Sequence, residues 1–157
     1  MRKKSIIIAF FICLYDQIIK YVINTNFSDE RIVCVIKRFF YINKVHNTGA
    51  AWSMFDGNRF FLIIVSVLAF VFLVWLERDF TKNNKISIAF GLIYGGLFGN
   101  LIDRIFYGYV TDYLKIVIGS YNYPVFNLAD VAIVGGFIIL IYCIIKGEVK
   151  NDNKSTK

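Results

Sequence analysis

Histidine and cysteine are scarce in this sequence, and their scarcity argues against several kinds of catalytic site. His46 is the only histidine, so a histidine-rich zinc site of the His-Glu-x-x-His type is excluded. The three cysteines, Cys13, Cys34 and Cys143, are spaced for neither a disulfide framework nor a metal-binding clip. A Gly-x-Ser-x-Gly turn is also missing, which argues against a serine hydrolase. We therefore expect an activity without a metal or other cofactor.

Long apolar runs, in contrast, are abundant. Hydrophobic residues make up 57% of the chain and the mean hydropathy is +0.58, which indicates a protein whose solvent is partly lipid. A length of 157 residues suits one unit, so we expect a single membrane domain over residues 1–157. A membrane span needs about 20 mostly apolar residues. The predicted fold is an all-α membrane protein with four spans, at about 5–23, 60–76, 86–106 and 128–145.

The distribution of basic residues predicts the topology. The net charge is +7, but the basic residues form short clusters between apolar runs, which favours anionic lipid headgroups over nucleic acid as partner. The first apolar run lacks a small-x-small cleavage site, so we interpret it as a retained span. With four spans, most of the clusters fall on one side and both termini are expected in the cytoplasm. These clusters are Arg2, Lys3 and Lys4; Arg78, Lys82 and Lys85; and Lys146, Lys150, Lys154 and Lys157.

Two segments are then expected to face outward, at about 24–59 and 107–127. The first contains short β-branched and aromatic runs at 32–36 and 39–45, too short for helices, followed by an Asn47-Thr48-Gly49 turn signal. We expect it to form a small β element on the membrane surface. The second segment is rich in tyrosine, which is typical of the membrane interface.

Several polar residues lie where a bilayer makes them costly. An ionisable side chain near the membrane centre costs about 2.5 to 3.5 kcal/mol on insertion scales, so each one needs a partner or a function. Asp16 and Lys20 are four residues apart on one helix face and can pair, either as a structural ion pair or as part of a site. Three residues near the outer end of the third span also lie on one helix face. They can form part of a site or serve as an interfacial anchor. These are Asn100, Asp103 and Arg104.

Asp112 and Asp130 form the most informative pair. Asp130 follows Asn127, a good helix N-cap, and alone could serve only the helix dipole. Asp112 alone would be an ordinary loop acid. The segment between them leaves and returns to the same membrane face, so both carboxyls can meet at one depth. Two carboxyls that meet in a partly dry site share one proton, which supplies an acid and a base for amide hydrolysis.

Acid pairs in membranes have other uses, and two alternatives stay open from the residues alone. One is a small proton-coupled transporter in which Asp16 and Asp103 carry protons, although no inverted repeat is visible. The other is a non-catalytic membrane scaffold. Loss of flux on mutation of Asp16, with no effect of Asp130, would favour the transporter. Mutation of all the acidic residues without a change in phenotype would favour the scaffold.

Five short motifs, in order along nearly the whole chain, resemble those of the lipoprotein signal peptidases, also called signal peptidase II. The resemblance implies a four-helix membrane bundle with a small extracytoplasmic β-cradle. It also implies cleavage of bacterial prolipoproteins at the bond preceding a diacylglyceryl-modified cysteine. The motifs are Asp16-Gln17-x-x-Lys20, Asn47-Thr48-Gly49-Ala50-Ala51-Trp52, Asn100-Leu101-Ile102-Asp103-Arg104, Val110-Thr111-Asp112-Tyr113 and Phe126-Asn127-Leu128-Ala129-Asp130.

The resemblance also assigns roles to individual residues. It implies that Asp112 and Asp130 are the catalytic dyad, near the outer face of a bacterial cytoplasmic membrane. Small residues at Gly49 and Ala50 suit a close approach of an extended substrate backbone, although an ordinary tight turn is an alternative for the glycine. We expect a monomer whose partners are the lipid-modified substrates and membrane lipids, not nucleic acid. The residues implied to line or support the site are Asp16, Lys20, Asn47, Asn100, Asp103, Arg104 and Asn127.

Overall fold

The computed structural model describes residues 1–29, 31–50, 52, 54–80 and 83–147 of the chain. Within these residues the chain forms four α-helices and one four-stranded antiparallel sheet, with strand order β1-β2-β3-β4. The elements in chain order are α1 (Lys3–Asn26), β1 (Ile32–Ile36), β2 (Phe40–Asn47), α2 (Arg59–Glu77), α3 (Asn84–Phe106), β3 (Val110–Ile118), β4 (Tyr121–Asn122) and α4 (Leu128–Ile145).

All four helices are long and apolar enough to cross a membrane, as the hydropathy of the sequence predicts. Their burial differs sharply: 72% of the most apolar stretch of α3 is buried, against 17% to 28% for the other three helices. The third helix is therefore the centre of the bundle, and the others pack around it and turn apolar side chains outward. Such an exposed apolar surface is stable in lipid, and it identifies a multi-pass membrane protein.

Glycines let the helices of the bundle approach one another closely. A Cβ atom on Gly96 of α3 would lie 2.3 Å from the carbonyl oxygen of Ala129 in α4, closer than any real contact. Gly95 meets α1 in the same way, because its Cβ would lie 2.8 Å from the carbonyl oxygen of Ala9. Small residues at helix contacts are a common basis of packing in membranes, where lipid supplies no hydrophobic driving force between helices.

The sheet joins the two segments that connect the helices. The strands β1 and β2 lie where β-branched and aromatic runs predict them, and their four-stranded sheet confirms the expected β element. The segment 107–127 differs from the prediction, because it contains β3 and β4 rather than only a tyrosine-rich interfacial loop. Its partner β2 lies far away in the sequence, so no local pattern reveals the pairing. Asp112 consequently lies on a strand and not in a loop.

A buried acid outside the predicted spans holds the first three helices together at the end where α1 begins. Glu77 is 2% exposed and accepts hydrogen bonds from the Ser5 hydroxyl at 2.6 Å and the Tyr94 hydroxyl at 3.2 Å. The guanidinium of Arg2 donates to the carbonyl oxygen of Phe80 at 2.6 Å. Two hydroxyl donors satisfy a carboxylate that would otherwise be costly to bury.

Candidate active site

Asp112 is held on β3 by two asparagine side chains. The antiparallel register of β2 and β3 pairs Asp112 with Val45 and places Asn47 two residues further along β2, opposite Val110. The Asn47 amide donates to Asp112 Oδ2 at 2.9 Å, and the Asn127 amide donates to Asp112 Oδ1 at 2.7 Å. Asp112 is only 2% exposed. The sheet and the bundle therefore enclose this carboxyl while leaving both oxygens hydrogen-bonded.

Asp130 is fixed at the beginning of α4. Asn127 is the N-cap: its side-chain oxygen accepts from the Asp130 N–H at 3.0 Å, while the Asn127 N–H donates to Asp130 Oδ2 at 3.1 Å. This reciprocal pair is a capping box, and it places a carboxylate at the helix terminus that favours negative charge. The Asn100 amide of α3 donates to the other oxygen, Asp130 Oδ1, at 2.7 Å.

Asn127 brings the two carboxyls together, because its side chain binds one and its backbone binds the other. All four carboxyl oxygens of the pair accept an N–H from a fixed amide. Both groups face one cavity of about 440 Å³. Apolar side chains of α3 and α4 form one wall of the cavity, and α2 contributes the Ser66 side chain. The lining includes Asn47, Ala50, Trp52, Ser66, Leu97, Asn100, Arg104, Ile133 and Val134.

Burial and a neighbouring charge change the acidity of Asp112. Desolvation is the larger cause and the negative charge of Asp130 the second, and together they raise the pKa of Asp112 to about 7. The hydrogen bonds from Asn47 and Asn127 and the positive charge of Lys20 lower the pKa of Asp112, but by less. Near neutral pH the site can therefore hold one carboxylic acid beside one carboxylate.

Beside the carboxyl pair lies a second polar group, in which one ammonium binds two carboxylates inside the bundle. Lys20 Nζ lies 2.8 Å from Asp16 Oδ2 and 3.0 Å from Asp103 Oδ2, and all three side chains are at most 3% exposed. Gln17, which follows Asp16 in α1, donates to Asp103 Oδ1 at 2.9 Å. The predicted pairing of Asp16 and Lys20 is thus present, and Asp103 completes an arrangement of three charges.

The two acids of this group also hold the elements that carry Asp112 and Asp130. Asp16 Oδ1 accepts from the Ala129 N–H at 3.0 Å, which ties α1 to the first turn of α4. Asp103 Oδ2 accepts from the Thr111 N–H at 3.1 Å, which ties α3 to β3 next to Asp112. A buried backbone N–H needs such an acceptor, so the charged group fixes the backbone on both sides of the carboxyl pair.

Asn100 connects the charged group to the carboxyl pair and has a defined orientation. Its side-chain oxygen accepts from Lys20 Nζ at 2.9 Å and from the Asn127 amide at 3.1 Å. An asparagine amide has one acceptor and one donor end, so its NH₂ group must face Asp130. By binding the oxygen of Asn100, Lys20 thereby orients the NH₂ group of Asn100 toward the Asp130 carboxyl.

The turn after β2 borders the cavity and is held by an arginine. The Arg104 guanidinium donates to the carbonyl oxygen of Gly49 at 3.1 Å, while Gly49 donates its N–H to the Asn47 side chain at 3.0 Å. Arg104 Nε is buried without a partner among the described residues. Ala50 lines the cavity, and the indole of Trp52 packs edge-on against the Tyr123 ring. Ala51, the third small residue of the motif, lies outside the described residues.

The structure brings together all eleven residues predicted for the site, either in this polar network or at the cavity. It also adds residues that the sequence analysis did not assign. Arg59 Nε donates to the carbonyl oxygen of Arg104 at 2.7 Å, and the hydroxyl of Tyr113 accepts from the Leu128 N–H at 3.2 Å. A role for Tyr113 could have been predicted, because it follows Asp112 in one of the five motifs. No feature of the sequence indicated a role for Arg59, which lies at the predicted boundary of a span.

Fold and site together define a multi-pass membrane protein with a cavity at which two carboxyls converge. The family model described as signal peptidase (SPase) II matches residues 8–146 of this chain. A solved structure described as a bacterial membrane enzyme, determined by the in meso method at 2.3 Å, is 34% identical with a TM-score of 0.82. The match covers 98% of this chain and 92% of that one. A second, at 1.9 Å, is 34% identical with a TM-score of 0.81, covering 90% and 92% respectively.

The chain belongs to the signal peptidase II family. The family and the four apolar helices make it a membrane-embedded signal peptidase. Within the described residues, no group of three or more His, Cys, Asp and Glu side chains is placed to hold a metal ion.

Proposed function

We propose that this protein is an aspartic endopeptidase that removes the signal peptide of bacterial prolipoproteins at the bond preceding the diacylglyceryl-modified cysteine. The observation that carries the proposal is the convergence of Asp112 and Asp130 on Asn127, at one cavity. We propose that the enzyme acts as a monomer. It needs no cofactor, because the two carboxyls supply both the acid and the base.

The two carboxyls take different roles. Asp130 is the carboxylate, because its capping box places it at the N-terminus of α4, where the helix dipole favours negative charge. Asp112 is the acid, because burial and the charge of Asp130 raise its pKa to about 7. Asp130 takes a proton from water as the water oxygen attacks the scissile carbonyl carbon, and Asp112 gives its proton to the carbonyl oxygen.

The resulting diol then collapses. Asp112 takes back a proton from one hydroxyl while the C–N bond breaks, and Asp130 gives its proton to the departing nitrogen. The products are a carboxylic acid and an amine, and both carboxyls return to their initial protonation states. The amides of Asn47, Asn100 and Asn127 hold the carboxyls without adding charge, so neither side chain needs to reorient during the reaction.

The lining of the cavity supports the proposal that the substrate is lipid-modified. Its apolar wall includes Leu97 and Ile133, and it extends to Val134, which is 58% exposed on the outer surface of α4. The space beside the carboxyls thus opens toward the lipid, where the acyl chains of a diacylglyceryl group can remain. On the polar side, Arg104 lines the cavity, and its guanidinium can bind a substrate carbonyl.

The charge pattern supports a topology with the site at the extracytoplasmic face of the bacterial cytoplasmic membrane. Arg2, Lys3 and Lys4 lie at the beginning of α1, whereas the carboxyl pair lies at the level of the beginning of α4 and the end of α3. Basic clusters beside spans favour the cytoplasmic side. The sheet and the carboxyl pair then face outward, with both termini inside.

The test is cleavage of a diacylglyceryl-modified precursor by purified protein in detergent, beside the same precursor without the lipid. We expect Asp112→Asn and Asp130→Asn each to lower the rate by about 100-fold to 10,000-fold. Asp79→Asn, an exposed acid at the opposite end of the bundle, is the matched control and should retain the wild-type rate. Full cleavage by either dyad variant would exclude the proposed chemistry, and equal cleavage of both precursors would exclude the lipid requirement.

A further inference from the structure

One end of the sheet projects two turns side by side, and its surface is not used by the active site. The turn between β1 and β2 spans residues 37–39, and the turn between β3 and β4 spans 119–120. They lie together because Phe40 pairs with Ile116 and the Val117 N–H donates to the carbonyl oxygen of Phe39 at 2.8 Å. We call residues 35–39, 115 and 118 the sheet tip.

The sheet tip exposes apolar side chains although it lies outside the four helices. Val35, Ile36, Phe39 and Ile118 are 51%, 52%, 47% and 62% exposed. A change of register between Cys34 and Ile36 interrupts the normal alternation of the strand, so the neighbours Val35 and Ile36 are both exposed. Contiguous apolar side chains on a surface outside the bundle indicate contact with a partner or a membrane.

The sheet tip is also strongly basic. Lys37 and Arg38 occupy the first turn, and Lys115 lies on β3 opposite Tyr41. The stretches 31–47 and 113–127 contain no Asp or Glu, so no acid of the strands neutralises these charges near the tip. Asp29, which precedes β1, is bound to Lys44 at 2.9 Å. Glu30 lies outside the described residues.

The backbone holds the basic turn in a defined shape. Arg38 has a φ of +63°, a conformation that costs energy in a residue other than glycine. Its N–H donates to the Tyr41 hydroxyl at 3.0 Å. The turn is therefore specified, and it keeps Lys37 and Arg38 exposed beside Phe39.

We propose that the sheet tip docks on the anionic phospholipid headgroups of the membrane that the helices cross. Only three residues separate the end of α3 from the beginning of β3, so the sheet is joined closely to a spanning helix. The sheet tip lies at the other end of β3, and it reaches the headgroups when the sheet lies along the membrane surface. Apolar side chains flanked by Lys and Arg fit such an interface, where rings and aliphatic groups enter the headgroup layer and cations bind phosphate. Docking fixes the sheet, including β3, relative to the membrane.

Cys34 offers a native position for a probe of this contact. It is exposed on β1, two residues from Ile36, whereas Cys143 is buried. In a Cys13→Ala background, an environment-sensitive thiol dye on Cys34 can report contact with lipid in nanodiscs of phosphatidylcholine alone or with phosphatidylglycerol. Cys34→Ser should abolish labelling. Lipids that carry a nitroxide quencher near the headgroup provide a second measurement of contact between the dye and lipid.

We expect a blue shift and quenching of the dye in the anionic nanodiscs, both weakened by added salt. Each basic residue near an anionic surface contributes about 1 kcal/mol, so Lys37→Gln/Arg38→Gln should lower the ratio of docked to undocked protein about 30-fold. The matched control is Lys3→Gln/Lys146→Gln, which removes the same charge from the other end of the helices and should change nothing.

The proposal fails if the dye stays in water in the anionic nanodiscs, or if its signal is equal in both lipids and unaffected by Lys37→Gln/Arg38→Gln. A signal that appears only when several copies share one nanodisc would assign the sheet tip to a second copy of the chain and would also overturn it. None of these readings depends on peptidase activity, so the proposed function and the docking surface are tested separately.

Discussion

Removal of the Lys20 ammonium is expected to destabilise the protein strongly. Lys20→Met would leave Asp16 and Asp103 buried, both accepting backbone N–H groups but without the cation that now lies 2.8 Å and 3.0 Å from them. All three side chains are at most 3% exposed, so solvent screens little of this loss. Removing one partner of a buried ion pair costs about 3 to 5 kcal/mol, and we expect a loss of that size.

The assay is reversible unfolding of purified protein in mixed micelles, followed by circular dichroism. The triple variant Asp16→Asn/Lys20→Met/Asp103→Asn removes all three charges and should recover most of the lost free energy of unfolding, because no unpaired charge remains buried. If Lys20→Met unfolds like the wild type, or if the triple variant is no more stable than Lys20→Met alone, the charged group does not stabilise the bundle in the way described.

Three further predictions concern the carboxyl pair and its helix. Cleavage should decline as pH rises through about 7, because Asp112, whose pKa is raised to about 7, then loses the proton it must donate. Asn47→Ala should shift this decline to higher pH in the same rate profile, because the Asn47 hydrogen bond lowers the pKa of Asp112. Gly96→Ala should lower the free energy of unfolding by about 1 to 3 kcal/mol and slow cleavage, because its Cβ would press on the Ala129 carbonyl at 2.3 Å. Gly135→Ala, whose Cβ meets nothing within 4 Å, is the control. An unshifted pH profile in Asn47→Ala, or equal stability of the two alanine variants, would contradict these assignments.

The helices could be predicted from the sequence because span length and hydropathy are local properties. Each predicted span lies inside an observed helix, even the first, which Asp16 and Lys20 interrupt. The strand β3 could not be predicted in the same way. Its pairing with β2 depends on residues that lie far away in the sequence, and Asp112 itself breaks the apolar character expected of a buried strand.

The composition of the site was also partly predictable. Charged residues inside apolar runs are costly, so Asp16, Lys20 and Asp103 were candidates from the sequence alone, and the structure joins them in one group. The details were not visible. That Asn127 binds both carboxyls depends on the simultaneous placement of a strand and a helix, and so does the orientation of Asn100.

The central claim is that Asp112 and Asp130 hold one proton between them near neutral pH. Isotope-edited infrared spectroscopy of protein with ¹³C-labelled aspartate can detect a protonated carboxyl directly as a function of pH. We predict a carboxylic acid band that persists to about pH 7 and is missing in Asp112→Asn. If every aspartate instead ionises with an ordinary pKa of about 4, the two carboxyls do not share a proton and the account is wrong.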